Sequence, residues 1–168
     1  MIWLVGMMGA GKTAVGAALA DRLGIPHVDT DEEIERRAAA SIPQLFETVG
    51  EPTFRLFEAA VIGDLASDGI DRVVSTGGGA VLDDDSVARM RGTGCVVWLS
   101  AEAGDLAARV GDGSGRPLLA GEDTESALGE LLERRTPLYE AAAHHRVATE
   151  GRDATAVAAE VEDLCRPA

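Results

Sequence analysis

Residues 6–13 read GMMGAGKT and constrain the fold more than any other stretch of this chain. They match the phosphate-loop pattern G-x-x-x-x-G-K-[ST] at every fixed position. The apolar run IWLV at residues 2–5 precedes the loop and predicts a buried strand. Apolar residues then recur at helical spacing, so the loop opens a helix whose free N–H groups and dipole favour phosphate. This strand, loop and helix together predict nucleotide binding.

Lys12 is the only lysine in the chain, and every other cationic side chain counted with it is an arginine. A compact ammonium on a flexible stem follows the β- and γ-phosphates of a nucleotide as a point charge, which a rigid guanidinium does poorly. Thr13 would offer its hydroxyl to a Mg²⁺ ion that bridges phosphate oxygens. The phosphate-loop pattern could also occur by chance in a glycine-rich chain. The predicted strand before it and helix after it make a chance match less plausible.

Length and charge limit the remaining possibilities. A chain of 168 residues predicts one domain, and a net charge of −14 argues against a nucleic-acid binder, which needs a basic face. An anionic substrate would have to be captured by locally placed arginines. We find no signal peptide and no apolar stretch of membrane-spanning length, so we expect a cytoplasmic protein without a membrane partner. Cys95 and Cys165 have no metal-ligand spacing, and we expect two separate thiols.

Short apolar runs alternate with helical patterns, which predicts an α/β fold with a parallel sheet and helices on both faces. Thr30 with Glu33 predicts a capping box for a helix to about residue 40, Ser41 with Gln44 predicts a second, and Pro52 would begin a third helix. These extra helices suggest a substrate-binding insertion at about residues 31–60. The five predicted strands are residues 2–5, 27–29, 72–75, 95–99 and 145–148.

Residues 111–117 read GDGSGRP and form the longest glycine-rich polar stretch. It is either a plain flexible loop or a lid, at about residues 111–123, that closes over the phosphate site. The arginine at its centre, Arg116, favours a lid.

Further clusters follow the predicted strands or lie on predicted helices, and each also has a purely structural interpretation. Asp29-Thr30-Asp31 would lie at the rim where ligands bind in open α/β sheets, or could simply cap a helix. Arg55 and Glu58 share a helix face and could be a surface ion pair. The glycines at 77–79 could be a permissive turn, and Arg134-Arg135 a solvated basic pair. Because all these clusters are expected at one rim of the sheet, together they favour a ligand-binding site.

Taken in order, these motifs closely resemble shikimate kinase over essentially the whole chain. The phosphate loop is shared by many nucleotide-binding proteins, but its combination with the other motifs is specific to that family. The resemblance implies a P-loop kinase with a five-stranded parallel sheet, the helical insertion and the lid. The motifs read GMMGAGKT at 6–13, DTD at 29–31, FRLFE at 54–58, GGGA at 77–80, RPLL at 116–119 and RTPLY at 135–139.

The resemblance also implies a reaction and residue roles. The γ-phosphate of ATP would pass to the 3-hydroxyl of shikimate, a step in chorismate and aromatic amino acid biosynthesis, with Mg²⁺ as cofactor. We expect a monomer, although the sequence itself does not determine the oligomeric state. Lys12, Asp31 and Arg116 would be catalytic, and Thr13 and Asp29 would serve the metal. The nucleotide would meet Gly9, Ala10, Gly11, Lys12, Thr13, Ala14, Arg109, Arg116 and Arg152. Shikimate would meet Asp31, Arg55, Gly77, Gly78, Gly79 and Arg135, with Arg55 and Arg135 holding its carboxylate.

Two other functions remain possible on sequence grounds. A different small-molecule kinase on the same scaffold, acting on gluconate or a nucleoside monophosphate, would need another partner for Arg55 and Arg135. A nucleotide-dependent switch would hydrolyse ATP slowly without an acceptor. Such a switch would not explain why residues suited to an acceptor, such as Asp31, Arg55 and Arg135, are present.

Overall fold

Five parallel strands form one sheet within the described residues, which are 1–111, 117–119 and 123–166 of this computed structural model. The strands are β1 (Ile2–Val5), β2 (His27–Asp29), β3 (Val73–Ser75), β4 (Cys95–Ser100) and β5 (His145–Ala148). Their order across the sheet is β2-β3-β1-β4-β5. The predicted α/β class and parallel sheet are therefore confirmed.

Helices connect the strands, because parallel neighbours need crossovers that pass over a face of the sheet. The inner strands β1, β3 and β4 are consequently covered, and Trp3 and Leu4 of the central strand β1 are fully buried. None of the helices in the described ranges is long and apolar enough to cross a membrane. The helices are α1 (Lys12–Leu23), α2 (Thr30–Ala38), α3 (Ile42–Ser67), α4 (Asp84–Thr93), α5 (Ala103–Val110), α6 (Thr124–Ala142) and α7 (Ala154–Cys165), with short 3₁₀ turns at Ala80–Leu82 and Pro117–Leu119.

The strand order places the phosphate loop at the centre of one rim. From β1 the chain crosses to β2 on one side, and the later strands β4 and β5 extend the sheet on the other. Open α/β sheets bind ligands at such a switch point, beyond the carboxyl ends of the strands. The residues that follow β1, β2 and β3 therefore face a common space.

The insertion differs from the sequence prediction at its first cap. Asp29, and not Thr30, is the N-cap of α2, because the Asp29 side chain accepts a hydrogen bond from the Asp31 N–H at 2.9 Å. The Thr30 hydroxyl instead accepts a bond from the Gly77 N–H. The predicted box of Ser41 with Gln44 is present.

The third predicted helix exists as the second half of α3. Gly50 interrupts the helix with φ 77° and ψ 164°, and Pro52 follows in the first turn after this kink. A φ of this sign favours glycine, which carries no Cβ. The kink therefore divides α3 into a segment that begins at the Ser41 cap and a segment that carries Arg55 and Glu58.

The expectation of two separate thiols is wrong. Cys95 and Cys165 form a disulfide, with their Cα atoms 5.7 Å apart. The first residue of β4 and the last of α7 meet because β5 lies beside β4 and leads into α7. The two cysteines are 70 residues apart in sequence, so the sequence alone did not indicate that they are close in space.

Candidate active site

The phosphate loop joins β1 to α1 with a backbone that requires glycine. Gly9 and Gly11 have φ angles of 81° and 89°, in the left-handed region that side chains disfavour. The Lys12 ammonium donates hydrogen bonds to the carbonyl oxygens of Gly6 and Met7, both at 2.8 Å. The Lys12 side chain thus folds back across the loop towards its first two residues.

Thr13 and Asp29 bring two oxygen donors together beside the loop. The Thr13 hydroxyl donates to an Asp29 carboxylate oxygen at 2.7 Å. Hydroxyl and carboxylate oxygens suit a hard divalent cation such as Mg²⁺, which keeps several waters and phosphate oxygens as ligands. The described residues contain no group of three or more His, Cys, Asp or Glu that could hold a metal by itself. The pair therefore fits a cation that arrives with a nucleotide.

A cavity of about 490 Å³, here called the phosphate-loop pocket, opens over this loop. Arg109 of α5 reaches it and donates to the Gly9 carbonyl at 3.3 Å and to Thr149 at 2.9 and 3.0 Å. Its lining residues are Met8, Gly9, Gly11, Lys12, Thr13, Ala14, Asp29, Asp31, Glu32, Glu35, Ile42, Thr76, Gly78 and Arg109.

A second cavity of about 300 Å³, here called the arginine pocket, adjoins the first. Arg55 and Arg135 reach it from α3 and α6, and one wall is apolar, so it suits a small anion with a hydrocarbon face. Its lining residues are Met8, Asp31, Glu35, Ile42, Pro43, Phe46, Phe54, Arg55, Glu58, Gly77, Gly78, Gly79, Pro117, Leu118 and Arg135.

Asp31 lines both pockets and therefore lies at their junction. Burial, followed by the nearby Asp29 and Glu58 carboxylates, raises the pKa of Asp31 to about 6. A carboxylate with this pKa is ionised at pH 7 and is still basic enough to take up a proton. Asp31 thus has the position and the basicity to orient a hydroxyl between the two pockets.

Arg55 is held by acidic groups of its own helix. Its guanidinium donates to Glu58 and to Glu51, both at 2.8 Å. Burial raises the pKa of Glu58, and the neighbouring Arg55 opposes that shift. The Arg55 Nε and one Glu58 oxygen are buried and have no hydrogen-bond partner among the described residues. Unsatisfied buried groups of this kind are expected where a ligand completes the network.

Arg135 and the glycines at 77–79 meet on the other side of the arginine pocket. Arg135 is 5% exposed, and it donates to the Gly78 carbonyl oxygen at 3.1 Å. A Cβ atom at Gly79 would lie 2.1 Å from the Arg55 guanidinium, and one at Gly77 would lie 2.3 Å from a Glu58 oxygen. Only glycine allows the backbone to approach these charged groups so closely.

Three predicted residues are not placed in either pocket, and one of them, Ala10, is fully buried. Arg152 donates to the Ala148 and Ala156 carbonyls and pairs with Glu160 at 2.7 Å, beside the Thr149 segment that Arg109 contacts. The predicted lid residue Arg116 lies outside the described residues.

Sequence reasoning missed the apolar wall of the arginine pocket. Ile42, Pro43, Phe46 and Phe54 form that wall. Phe46 and Phe54 lie on opposite sides of the Gly50 kink, with their ring centroids 4.7 Å apart. Only the kink brings the two rings together, and helical periodicity alone does not predict it.

A phosphate loop that adjoins a small acceptor pocket, on a parallel sheet ordered around β1, defines a small-molecule kinase of the P-loop class. A family model described as shikimate kinase matches residues 8–166. The chain belongs to the shikimate kinase family.

Individual relatives agree with this assignment. The chain is 46% identical over 163 residues to a shikimate kinase of Symbiobacterium thermophilum, covering 95% of this chain and 92% of that protein. It superposes on a shikimate kinase of Acinetobacter baumannii in complex with shikimate with a TM-score of 0.94 at 40% identity, covering 97% of this chain and 90% of that one. A gluconokinase of Sinorhizobium meliloti, at 19% identity and a TM-score of 0.56, shares the fold alone.

Proposed function

We propose that this chain transfers the γ-phosphate of ATP to the 3-hydroxyl of shikimate, giving shikimate 3-phosphate and ADP. The observation that carries the proposal is the position of Asp31 at the junction of the phosphate-loop pocket and the arginine pocket. Phosphoryl transfer needs an acceptor hydroxyl in line with the γ-phosphate and positive charge around it. A hydroxyl held at Asp31 would stand between an acid bound at the arginines and a nucleotide bound at the loop.

On the nucleotide side, the loop N–H groups would hold the phosphates and Lys12 would neutralise the charge that develops during transfer. Arg116 would add positive charge from the lid, and Arg109 and Arg152 would flank the adenine. The residues proposed to bind the nucleotide are Gly9, Ala10, Gly11, Lys12, Thr13, Ala14, Arg109, Arg116 and Arg152.

Mg²⁺ is the proposed metal, with Thr13 as its direct ligand and Asp29 holding it through water. The ion would neutralise charge on the phosphate oxygens. The hydrogen bond between the two side chains, at 2.7 Å, already sets their spacing. Metal dependence would follow from the nucleotide, because these two residues alone offer too few ligands for a tight site.

On the acceptor side, Arg55 and Arg135 would pair with the shikimate carboxylate, and bidentate pairing would fix the direction of the ring. Asp31 would orient the attacking hydroxyl and receive its proton, while the glycine segment 77–79 would meet the other hydroxyls. The apolar wall would cover a hydrocarbon face of the ring and exclude water, which otherwise competes as phosphoryl acceptor.

The same proposal assigns larger parts of the molecule. The whole chain, residues 1–168, would be one P-loop kinase domain, with residues 31–60 as the acceptor-binding insertion and residues 111–123 as the lid. We expect a cytoplasmic monomer whose partners are ATP and shikimate.

The test is a coupled assay of ADP release on the purified protein with ATP and Mg²⁺, with and without shikimate. We expect turnover that depends strongly on shikimate and on the metal, and that is absent with gluconate or nucleoside monophosphates. Chelation of the metal should abolish it. An equal rate of ADP release with and without shikimate would contradict the proposed acceptor. ADP release that requires no acceptor of any kind would favour a nucleotide switch.

A further inference from the structure

Four of the six backbone polar groups of the glycine segment 77–79 form hydrogen bonds within the protein. The Gly77 N–H donates to the Thr30 hydroxyl at 2.9 Å, and the Gly77 carbonyl accepts from the Ala80 N–H at 3.1 Å. The Gly79 carbonyl accepts from the Leu82 N–H at 2.9 Å. The N–H groups of residues 78 and 79 have no hydrogen-bond partner among the described residues, and both residues line the arginine pocket. Backbone donors without partners at a pocket wall are available to a ligand.

The Gly78 carbonyl is held from one side by two donors. Tyr139 donates its hydroxyl to this oxygen at 2.6 Å, and Arg135 donates at 3.1 Å, so both lone pairs are occupied. The Gly78–Gly79 peptide is trans, as every peptide of the described chain is, and its C=O and N–H therefore point in opposite directions. Tyr139 is fully buried, so fixing the carbonyl towards it holds the Gly79 N–H on the opposite side of the peptide, away from Tyr139.

Tyr139 itself has little freedom to move. Its ring stacks on the Trp98 ring with centroids 5.7 Å apart and an angle of 19°, and the Arg146 guanidinium covers the Trp98 ring at 4.5 Å. Burial raises the pKa of Tyr139 to about 12, so its hydroxyl keeps its proton at all working pH values and remains a donor. The sheet strand β4, through Trp98, thus determines where this hydroxyl lies.

Arg135 cannot replace Tyr139 as the donor that fixes the Gly78 carbonyl. Its guanidinium is the group that is expected to pair with the acceptor carboxylate, and such pairing reorients or shares its N–H donors. The Tyr139 hydroxyl has a single proton and donates it to the Gly78 oxygen, while its own oxygen also interacts with the Arg135 side chain.

We propose that Tyr139 is a positioning residue for the acceptor, whose hydroxyl fixes the Gly78–Gly79 peptide so that the Gly79 N–H meets an oxygen of the bound hydroxy acid. Tyr139 does not touch the substrate. The inference rests on the proposed acceptor site, and it extends that site to a residue buried behind it.

The substitution Tyr139→Phe tests this, because it keeps the ring and its stacking on Trp98 and removes the hydroxyl alone. Loss of one oriented hydrogen bond to the ligand should raise the KM for shikimate about tenfold. The KM for ATP should change much less, because Tyr139 donates to Gly78 and not to the phosphate loop itself, although Gly78 lines both pockets. The measurement is steady-state kinetics with each substrate varied in turn.

Ser86→Ala is the matched control. Ser86 is 1% exposed and its hydroxyl donates to Asp83 at 2.6 Å, so the change also deletes a buried hydroxyl, at the start of α4 and outside both pockets. Neither KM should change in this variant. An unchanged shikimate KM in Tyr139→Phe, or an equal rise in both constants, would overturn the inference.

A measurement on the unmodified protein makes the result independent of how the variant folds. The backbone amide resonance of Gly79 should shift and become protected from solvent exchange when shikimate is added. An amide that is indifferent to shikimate, in a protein that turns shikimate over, would overturn the role of Tyr139 and leave the proposed function standing. A protein without shikimate-dependent turnover would overturn both.

Discussion

One serine hydroxyl holds the first turn of the phosphate-binding helix. Ser75, at the end of β3, donates to the Lys12 carbonyl oxygen at 2.8 Å, and the His27 Nε2 atom lies 2.9 Å from the same hydroxyl. A carbonyl cannot donate, so the Ser75 proton goes to Lys12 and His27 must supply the hydrogen that Ser75 accepts. A Cβ atom at Gly16 would lie 2.5 Å from His27 Nε2, so glycine lets α1 approach this pair closely. Two strands thereby fix the turn that presents Lys12 and Thr13.

Ser75→Ala should therefore weaken nucleotide binding. We expect the KM for ATP to rise about three- to tenfold, since a buried hydrogen bond contributes about 1 kcal/mol and its loss frees the turn. The KM for shikimate should not change. Steady-state kinetics and calorimetric titration with ATP measure the effect, with Ser86→Ala as the control. Equal ATP affinity in wild type and Ser75→Ala would show that the loop keeps its shape without the serine.

Helix α2 ends in a conformation that its sequence does not favour. Ala39, the C-cap, has φ 51° and ψ 34°, and it is the only residue other than glycine with positive φ in the described ranges. A Cβ in the left-handed region costs about 1–2 kcal/mol, and glycine is the usual residue at such a position. The strain is tolerated because the chain must turn here from α2 into the capping box of α3.

Ala39→Gly should stabilise the protein by about 0.5–1 kcal/mol, because the relief of strain exceeds the extra entropy of an unfolded glycine. The melting temperature should rise by about 2 °C. The neighbouring Ala38→Gly is the control, since Ala38 is the last residue of α2. It should destabilise the protein by up to about 1 kcal/mol. A lower melting temperature for Ala39→Gly would show that the backbone at Ala39 is not strained enough to destabilise the protein.

Element boundaries were predictable where a local signal decides them, and not where two signals compete. Strands β1 and β4 follow from apolar runs, and the Ser41 and Gln44 box fixes the start of α3. Asp29 and Thr30 are both good N-cap residues, and sequence could not tell which of them would cap α2. The choice is made by Gly77, whose N–H donates a hydrogen bond to the Thr30 hydroxyl, so that Asp29 caps the helix.

At the scale of the whole molecule, the sequence predicts which residues lie at the carboxyl edge of the sheet. It does not predict the contacts that hold these residues in position. Lys12, Asp31, Arg55 and Arg135 belong to motifs that can be read locally, and the strand order brings them together. The contacts behind them join residues far apart in sequence, as in the bond from Tyr139 to Gly78. Pairings of this kind depend on packing across elements, which periodicity and motif spacing do not encode.

The disulfide is the clearest case of such a long-range pairing, and it lies away from the site. Cys95 is the first residue of β4, so the bond joins α7 to the amino edge of the sheet, whereas the pockets lie beyond the carboxyl edge. Arg22 of α1 also pairs with Glu162 of α7, at 2.8 Å. These contacts tie the last helix to the sheet and to the phosphate-binding helix, so they should affect stability more than catalysis.

Cys165→Ser should lower the free energy of unfolding by about 4 kcal/mol, because opening a loop of 70 residues restores chain entropy to the unfolded state. Urea unfolding under oxidising conditions measures the loss, and kcat with saturating substrates should stay unchanged. A reducing agent supplies the control, since it should lower the wild-type midpoint to that of the variant and leave the variant unaffected. A reducing cytoplasm would keep the two sulfurs as thiols, so the reduced midpoint would describe the protein there. Equal midpoints for wild type and variant without reductant would mean that the core alone sets the stability.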